Sequence, residues 1–159
     1  MKLAVYPGSF DPITRGHIDI LEKTSKIFDK IIIAVVHNIN KKALFTLEER
    51  VELIKESISH LDNVEVESFS GLLVDYIREK KACAIIRGLR TVSDFEYEAT
   101  MAYMNKNLLP DVDTIFVMSR PEYIFISSSG VKEAAILGGD VSAMVPLPVE
   151  KKLKEKLKQ

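Results

Sequence analysis

The feature that most constrains this chain is a regular alternation of short apolar segments with longer amphipathic ones. The apolar segments are rich in Val and Ile, have the length of strands, and lie at residues 3–6, 30–36, 63–69, 83–88 and 113–119. Between them, apolar residues recur at the spacings of a helix. Strands joined by helices need right-handed crossovers, which produce a parallel sheet covered on both faces. The alternation therefore predicts a single doubly wound α/β domain over residues 1–159, with a five-stranded parallel sheet.

Three of the predicted helices have informative sequences. The segment "TLEERVELIKESISHL" begins with Thr46 and Glu49, which form a capping-box pair, and continues with apolar residues at helical spacing. The first helix has an apolar stripe that runs as far as Phe28 and includes His17. The last helix, within residues 146–159, is rich in lysine, and we expect its charged face to be solvated.

Charge and cysteine content exclude several classes of protein. The formal net charge of −1 does not indicate a nucleic-acid partner or an acidic membrane surface. No apolar run approaches the roughly 18 residues of a membrane span, and the N-terminus lacks the pattern of a signal peptide. The only cysteine, Cys83, cannot form an internal disulfide, and we expect it to be a buried structural thiol. These observations predict a cytoplasmic protein.

Basic and hydroxyl side chains follow several of the predicted strands. In a doubly wound sheet, ligands bind outside the carboxyl ends of the strands, so these residues are expected to meet at one edge. They are Ser9, Lys41, Lys42, Ser70, Arg87, Arg90 and Ser127 to Ser129. A positive edge on a protein of nearly zero net charge is suited to a phosphorylated small molecule.

Each of these candidate site residues also has a purely structural interpretation. Lys41 could belong to a solvated turn, the three serines could serve only as a helix cap, and His17 could be an ordinary core histidine. Arg87 is harder to explain in this way, because a guanidinium that ends a buried strand needs an anionic partner. His17 lies in the first turn of the first helix, where an imidazole can contact a phosphate.

The common nucleotide and hydrolase signatures do not occur in the sequence. There is no G-x-x-x-x-G-K-[ST] loop, no G-x-G-x-x-G turn and no G-x-S-x-G elbow. Histidines and carboxylates are not spaced as a metal cage, so no protein metal site is predicted.

Two short motifs instead resemble the signatures of the nucleotidyltransferase superfamily. Residues 14–17, "TRGH", resemble its (T/H)-x-G-H motif, and "ISSSGVK" at 126–132 resembles its I-S-S-[ST]-x-x-[RK] motif, with Lys132 in the basic place. The stretches "HIDIL", "FTLEERVELI" and "IIRGLRTVSDFEYE" are similar to the bacterial phosphopantetheine adenylyltransferases. This resemblance covers residues 3 to about 145. It implies a Rossmann-like nucleotidyltransferase fold.

The resemblance also implies a reaction and roles for individual residues. ATP and 4′-phosphopantetheine would give dephospho-coenzyme A and pyrophosphate in coenzyme A biosynthesis, with Mg²⁺ carried on ATP, a homohexameric assembly, and coenzyme A as a feedback ligand. His17 would stabilise the transition state. The residues implied in phosphopantetheine binding are Ser9, Lys41, Leu73 and Arg87. Those implied in ATP binding are Ser9, Phe10, His17, Gly88, Leu89, Arg90, Glu98, Tyr123, Ile124, Phe125, Ile126, Ser127, Ser128 and Ser129.

Two other functions remain open from the sequence. The same superfamily includes enzymes with a different acceptor or nucleotide, such as nicotinamide mononucleotide adenylyltransferases and cytidylyltransferases. A non-catalytic nucleotide-sensing module would bind the same ligands without turnover. Binding of phosphopantetheine and release of pyrophosphate distinguish these alternatives.

Overall fold

The computed structural model describes residues 1–158, and Gln159, the last residue of the predicted domain, lies outside the described residues. Strands and helices alternate along the chain as the sequence predicts. The strands are β1 (Leu3–Gly8), β2 (Lys30–Val36), β3 (Val64–Phe69), β4 (Ala84–Leu89) and β5 (Asp113–Met118). The helices are α1 (Arg15–Thr24), α2 (Leu47–Ser57), α3 (Leu73–Lys80), α4 (Val92–Leu108), α5 (Ser128–Ile136) and α6 (Leu147–Leu157), with a 3₁₀ turn at Pro121–Tyr123.

The strands form one parallel sheet in the order β3-β2-β1-β4-β5, which confirms the predicted fold class. The chain changes direction across the sheet between β1 and β4. These two strands pair only at Ala4 with Ala84 and Val5 with Ile85, whereas β1 stays paired with β2 as far as Gly8. The sheet therefore opens between β1 and β4 at its carboxyl edge, where ligands bind in folds of this order.

Helices cover both faces of the sheet. The larger core includes residues of α1, α2, α5 and α6, and the smaller one lies on the face covered by α3. Strand β2 is buried from Ile31 to Val35, as its uninterrupted apolar sequence predicts. Val149 and Leu153 anchor α6, so the predicted terminal helix packs on the domain through its apolar side. No helix within residues 1–158 is long and apolar enough to cross a membrane.

Two predicted boundaries are wrong. Strand β1 continues through Pro7 and Gly8, which pair with Ala34 and Val35, because the other edge of β1 is already free of β4 and proline's missing N–H is tolerated there. Helix α1 ends at Thr24, so its apolar stripe does not reach Ile27, which is 62% exposed.

The prediction of a buried Cys83 thiol is also wrong. Cys83 is exposed, and its Sγ donates a hydrogen bond to the carbonyl of Leu3 at 3.2 Å. The residue lies just before β4, which begins at Ala84, and so remains outside the covered part of the strand. The apolar run that follows Cys83 does not include it in the core.

Helix α4 leaves most of its apolar side chains exposed. Glu98 is its only buried residue, whereas Tyr103 is 77% exposed. Further exposed apolar residues lie on the helix and on the adjacent edge strand: Val92, Phe95, Tyr97, Met104, Leu108, Ile115 and Met118. We call these residues, together with Tyr103, the α4–β5 surface. Large apolar side chains left exposed together on neighbouring elements are typical of an interaction site.

Candidate active site

Two adjoining cavities open at the carboxyl edge of the sheet. The larger, of about 300 Å³, lies among β1, β4, the start of α1 and the start of α5. The smaller, of about 230 Å³, shares Pro7, Gly8, Val36, Arg87 and Glu98 with it and includes Leu73. The predicted site residues that line the larger cavity are Ser9, Phe10, His17, Lys41, Arg87, Gly88, Arg90, Glu98, Ile126, Ser127, Ser128 and Ser129.

Four predicted ATP-binding residues do not line either cavity. Leu89 is buried, and its carbonyl accepts the Ser119 N–H at 3.0 Å. Tyr123 packs against the larger core from a half-buried position, while Ile124 and Phe125 are exposed. The structure thus places these four residues around the cavity but not at its surface, and their assignment to the nucleotide stays a prediction.

His17 is fixed by the cap of helix α1. Thr14 is the N-cap, and its backbone N–H donates to His17 Nδ1 at 3.0 Å, while its hydroxyl accepts the backbone N–H of His17 at 3.4 Å. Because Nδ1 is an acceptor in this arrangement, the ring proton of the neutral imidazole is on Nε2. His17 lines the cavity, so Nε2–H is the donor available to a ligand.

The environment of His17 keeps it neutral. Burial of the ring, and then the positive charges of Arg87 and Arg90, lower the pKa of His17 to about 3. The residue retains some solvent exposure, and its ring packs against that of Phe10, with the ring centres 4.9 Å apart. At neutral pH His17 is therefore an uncharged hydrogen-bond donor and not a cation.

Phe10 shapes the turn between β1 and α1. Its backbone adopts a φ of 47°, a left-handed conformation that is unusual for an aromatic residue. The ring is buried and edge-on to Tyr6, with the ring centres 5.3 Å apart. At Gly8 a side chain would meet this ring, because an added Cβ would lie 3.1 Å from Phe10 Cε2. A side chain at position 8 would therefore crowd the ring of Phe10, which packs beneath His17.

Arg87 and Glu98 form a bidentate ion pair at the boundary of the two cavities. Arg87 Nη2 and Nε donate to the Glu98 carboxylate at 2.6 and 2.8 Å, and Nη1 donates to the carbonyl of Pro7 at 2.7 Å. The pair meets the requirement of Arg87 for an anionic partner. It also explains why a carboxylate is buried on α4, where the sequence suggested a direct contact with ATP.

Arg90 has a similar internal partner. Its Nε and backbone N–H both donate to Asp94 at 3.2 Å, and Nη1 donates to the carbonyl of Ile126 at 2.7 Å. Arg90 therefore connects the start of α4 to the segment that leads into α5.

Asp11 joins three distant segments beneath the cavity. Its carboxylate accepts the backbone N–H groups of Leu44 and Phe45 and the Nζ of Lys132, each at 2.9 Å. Burial opposes ionisation, but these hydrogen bonds outweigh it and lower the pKa of Asp11. Asp11 thereby holds the end of the Lys41 loop close to the turn after β1.

The three serines at the start of α5 have different roles. Ser127 is the N-cap, and its hydroxyl accepts the Gly130 N–H at 3.0 Å, as the capping interpretation predicts. The Ser128 hydroxyl donates to the carbonyl of Pro12 at 2.8 Å. Ser129 is exposed at the cavity. The backbone N–H groups of Ser128 and Ser129 lie in the first turn, where a helix supplies no acceptor, and they can receive an anion.

The cavity carries an excess of positive charge. Six cations line it, namely Lys41, Lys42, Arg50, Arg87, Arg90 and Lys132, against three carboxylates, Asp11, Asp94 and Glu98. Each carboxylate is paired with one of the cations. The excess charge therefore resides on Lys41, Lys42 and Arg50. Within residues 1–158, no group of three or more His, Cys, Asp or Glu is arranged to hold a metal ion.

Sequence reasoning missed Asp11, Asp94 and Arg50 as site residues. For Asp11 there was no local signal, because its partner Lys132 is 121 residues away. Arg50 did leave one: it lies three residues after Leu47 and four before Ile54, on the apolar stripe of α2. A cation at a core position indicates a buried polar contact.

Comparisons with known proteins agree with this geometry. A family model described as cytidylyltransferase-like matches residues 5–134. The chain is 68% identical to the phosphopantetheine adenylyltransferase of Syntrophomonas wolfei, over 99% of this chain and 98% of that protein. It is 54% identical to the phosphopantetheine adenylyltransferase of Carboxydothermus hydrogenoformans, over 100% and 98%. A bifunctional NMN adenylyltransferase/ADP ribose pyrophosphatase from Francisella tularensis has the same fold, with a TM-score of 0.73 and 16% identity over 99% of this chain and 50% of that one.

Proposed function

This chain belongs to the cytidylyltransferase-like family and, within it, to the phosphopantetheine adenylyltransferases, and on that premise we propose how the residues of its cavities carry out the reaction. It transfers the adenylyl group of ATP to 4′-phosphopantetheine, giving dephospho-coenzyme A and pyrophosphate, a step in coenzyme A synthesis. An oxygen of the acceptor phosphate forms a bond to the α-phosphorus of ATP. The bond from that phosphorus to the pyrophosphate oxygen breaks, and pyrophosphate leaves with the electron pair.

This reaction needs no nucleophile from the protein, because the acceptor phosphate is already an anion. The protein's tasks are to align two polyanions and to stabilise the charge that develops around the α-phosphorus. The observation that carries our proposal is the neutral His17, whose Nε2–H is available at the cavity while Nδ1 is held by Thr14. Such a fixed donor can bind a phosphate oxygen more tightly as its negative charge grows.

We assign the two substrates to the two cavities. The phosphates of ATP would occupy the larger one, near His17, Arg90 and the first turn of α5. The smaller cavity, which contains Leu73 and Met101, would take the pantetheine arm. Arg87 lines both cavities and would contact the acceptor phosphate at their boundary.

Mg²⁺ would enter with ATP as part of the substrate. The carboxylates of the larger cavity, Asp11, Asp94 and Glu98, are each bound to a cation. This donor set fits a metal held mainly by triphosphate oxygens, which is the usual mode for Mg²⁺ in phosphoryl transfer.

A pyrophosphate-release assay tests the function. We expect pyrophosphate release from ATP with phosphopantetheine as acceptor, and none with nicotinamide mononucleotide as acceptor or with CTP replacing ATP. Stabilisation by ATP and phosphopantetheine in thermal-shift titrations without any pyrophosphate release would favour the nucleotide-sensing alternative.

Replacement of Lys41 tests the predicted contact of its side chain with the acceptor phosphate, which would lie where the larger cavity meets the smaller one. Lys41 is exposed in the loop after β2 and lines the larger cavity, so Lys41→Ala should leave the fold intact. We expect KM for phosphopantetheine to rise roughly 10-fold, because a charged hydrogen bond to phosphate is lost. Steady-state kinetics with each substrate varied in turn provides the measurement, and Lys26→Ala, outside both cavities, is the control. An unchanged KM for phosphopantetheine would remove Lys41 from the site.

We also propose that the protein is a cytoplasmic homohexamer regulated by coenzyme A, as the family resemblance implies. The α4–β5 surface supports self-association, because a second copy of the chain could bury its exposed apolar side chains. Coenzyme A contains the same phosphopantetheine unit and would compete for the smaller cavity.

Replacement of Tyr103 tests the assembly. Tyr103 lies on the α4–β5 surface but lines neither cavity, so Tyr103→Arg should place a charge in the proposed subunit contact without changing the site. We expect light scattering coupled to size exclusion to show a smaller species. Ile27→Arg, an exposed apolar position on a different part of the molecule, should leave the mass unchanged. If Tyr103→Arg retains the mass of the native assembly, the contact lies elsewhere.

A further inference from the structure

Arg50 is a buried cation that the mechanism above does not use. It lies on α2, is only 6% exposed, and lines the larger cavity. Three other cations of this cavity have carboxylate partners, and Lys41 and Lys42 are exposed to solvent. Among the described residues that line the cavity, Arg50 alone is a buried cation without an ion-pair partner.

The hydrogen bonds of Arg50 occupy only one part of its guanidinium. Nη1 donates to the carbonyls of Ser9 and Val36 at 2.9 and 3.2 Å. Nε is buried and has no hydrogen-bond partner in residues 1–158, and no side-chain hydrogen bond of Nη2 occurs there either. The two carbonyls come from the ends of β1 and β2 and fix the guanidinium at the edge where the cavity opens.

A buried charge without a counter-ion is unfavourable, and proteins normally pair such a charge or use it to bind a ligand. The carbonyls supply partial charge only and do not neutralise the guanidinium. We propose that a phosphate group of one of the two substrates is the counter-ion of Arg50 and that it binds through Nη2. Arginine suits this role because it stays protonated when buried and can bind carbonyls and phosphate on different edges.

This inference rests on the proposed function for the identity of the anion. Ser9, whose carbonyl Arg50 binds, is a predicted contact of both ATP and the acceptor phosphate. The phosphate could therefore come from the triphosphate or from phosphopantetheine, and separate titrations distinguish these two sources.

The test compares Arg50→Gln and Arg50→Lys with the wild type in thermal-shift titrations of the full chain. We expect Arg50→Gln to weaken the binding of either ATP or phosphopantetheine by roughly 10- to 100-fold, the range for loss of a charged hydrogen bond. The affinity for the other ligand should stay within about threefold of the wild-type value. Arg50→Lys should weaken the same ligand by at least about threefold, because one ammonium group cannot hold both carbonyls and a phosphate. Titration with inorganic pyrophosphate provides a third arm, which should follow ATP if the triphosphate is the partner.

Arg78→Gln is the matched control, since Arg78 is exposed on α3 and lines neither cavity. Unchanged affinity for both substrates, or equal weakening of both, would overturn the proposal, because a purely structural Arg50 affects both ligands alike. If circular dichroism shows that Arg50→Gln does not fold, the Arg50→Lys variant provides the test. Wild-type affinity of Arg50→Lys for both substrates would then overturn the proposal. If the wild type binds ATP more tightly than Arg50→Gln does but releases no pyrophosphate, the proposed function is rejected. The inference about Arg50 would still stand.

Discussion

Replacing His17 with Ala should lower kcat by roughly 10²-fold or more while changing the affinity for ATP far less. A donor that binds a phosphate oxygen mainly in the transition state contributes to kcat and not to ground-state binding. Steady-state kinetics combined with ATP titration separates the two effects. A rise in KM for ATP with an unchanged kcat would show that His17 is only a ground-state ligand.

Two further variants distinguish the roles of the two ring nitrogens of His17. Asn can replace Nδ1 as acceptor of the Thr14 N–H, but it has no group at the position of Nε2. Gln offers an N–H near the position of Nε2 and loses the acceptor. We expect His17→Asn to keep the stability of the wild type and to lose as much kcat as His17→Ala. We expect His17→Gln to retain part of kcat, and the opposite order would reject Nε2–H as the donor.

The low pKa of His17 also predicts a pH dependence. Since the folded pKa is about 3 and the unfolded value about 6.5, the unfolded chain binds this proton first as pH falls. The contribution of His17 to stability is therefore fully present above about pH 6.5 and declines from there towards pH 3. Thermal unfolding at several pH values should show a shallower acid decline for His17→Asn than for the wild type. Between about pH 6 and 8, kcat should show no step from His17.

Replacing Glu98 with Gln should cause the largest loss of stability among the site variants. The change keeps the shape of the side chain but leaves Arg87 without its anion, next to the carbonyl of Pro7. Loss of a charged, hydrogen-bonded pair at a mostly buried site costs about 2–3 kcal/mol, and the partial exposure of Arg87 keeps it below the cost for a fully buried pair. For a chain of this size we expect Tm to fall by roughly 5–10 °C.

The control for Glu98→Gln is a similar change in an exposed pair. Asp75 and Arg78 form an ion pair on the surface of α3, with Asp75 Oδ1 2.7 Å from Arg78 Nη1. Exposed pairs contribute little, so Asp75→Asn should shift Tm by no more than about 2 °C. Glu98→Gln should also weaken the binding of phosphopantetheine, because Arg87 is no longer held between the two cavities. A Tm for Glu98→Gln equal to that of the control would show that the pair has no structural role.

Local sequence patterns predicted most of the fold. Strands and helices differ in the period of their apolar residues, and caps such as Thr46 with Glu49 mark where a helix begins. The ends of elements were less predictable. Pro7 looked like the start of a loop and belongs to β1, and Ile27 looked like part of α1 and lies beyond its end. Both depend on which neighbouring strand or helix is present, which no local pattern contains.

The candidate site was predicted as a set of residue types at one edge of the sheet. Strand order then explains why they meet, because β1 and β4 separate at that edge. The sequence could not predict that Arg87, Arg90 and Lys132 each have a carboxylate partner. It therefore offered only the ligand as a partner for Arg87 and Arg90, which the fold also pairs with Glu98 and Asp94, and it overlooked Arg50.

The sequence by itself determined the order of elements, the fold class and the resemblance to a family, since each depends on short-range periodicity or on contiguous motifs. Only the tertiary structure decided the state of the site: the neutral His17, the pairing of Asp11 with Lys132 across 121 residues, and the isolated Arg50. The physical reason is that charge and protonation depend on burial and on atoms within a few ångströms. Those neighbours are brought together from distant parts of the chain only when the sheet and its helices pack.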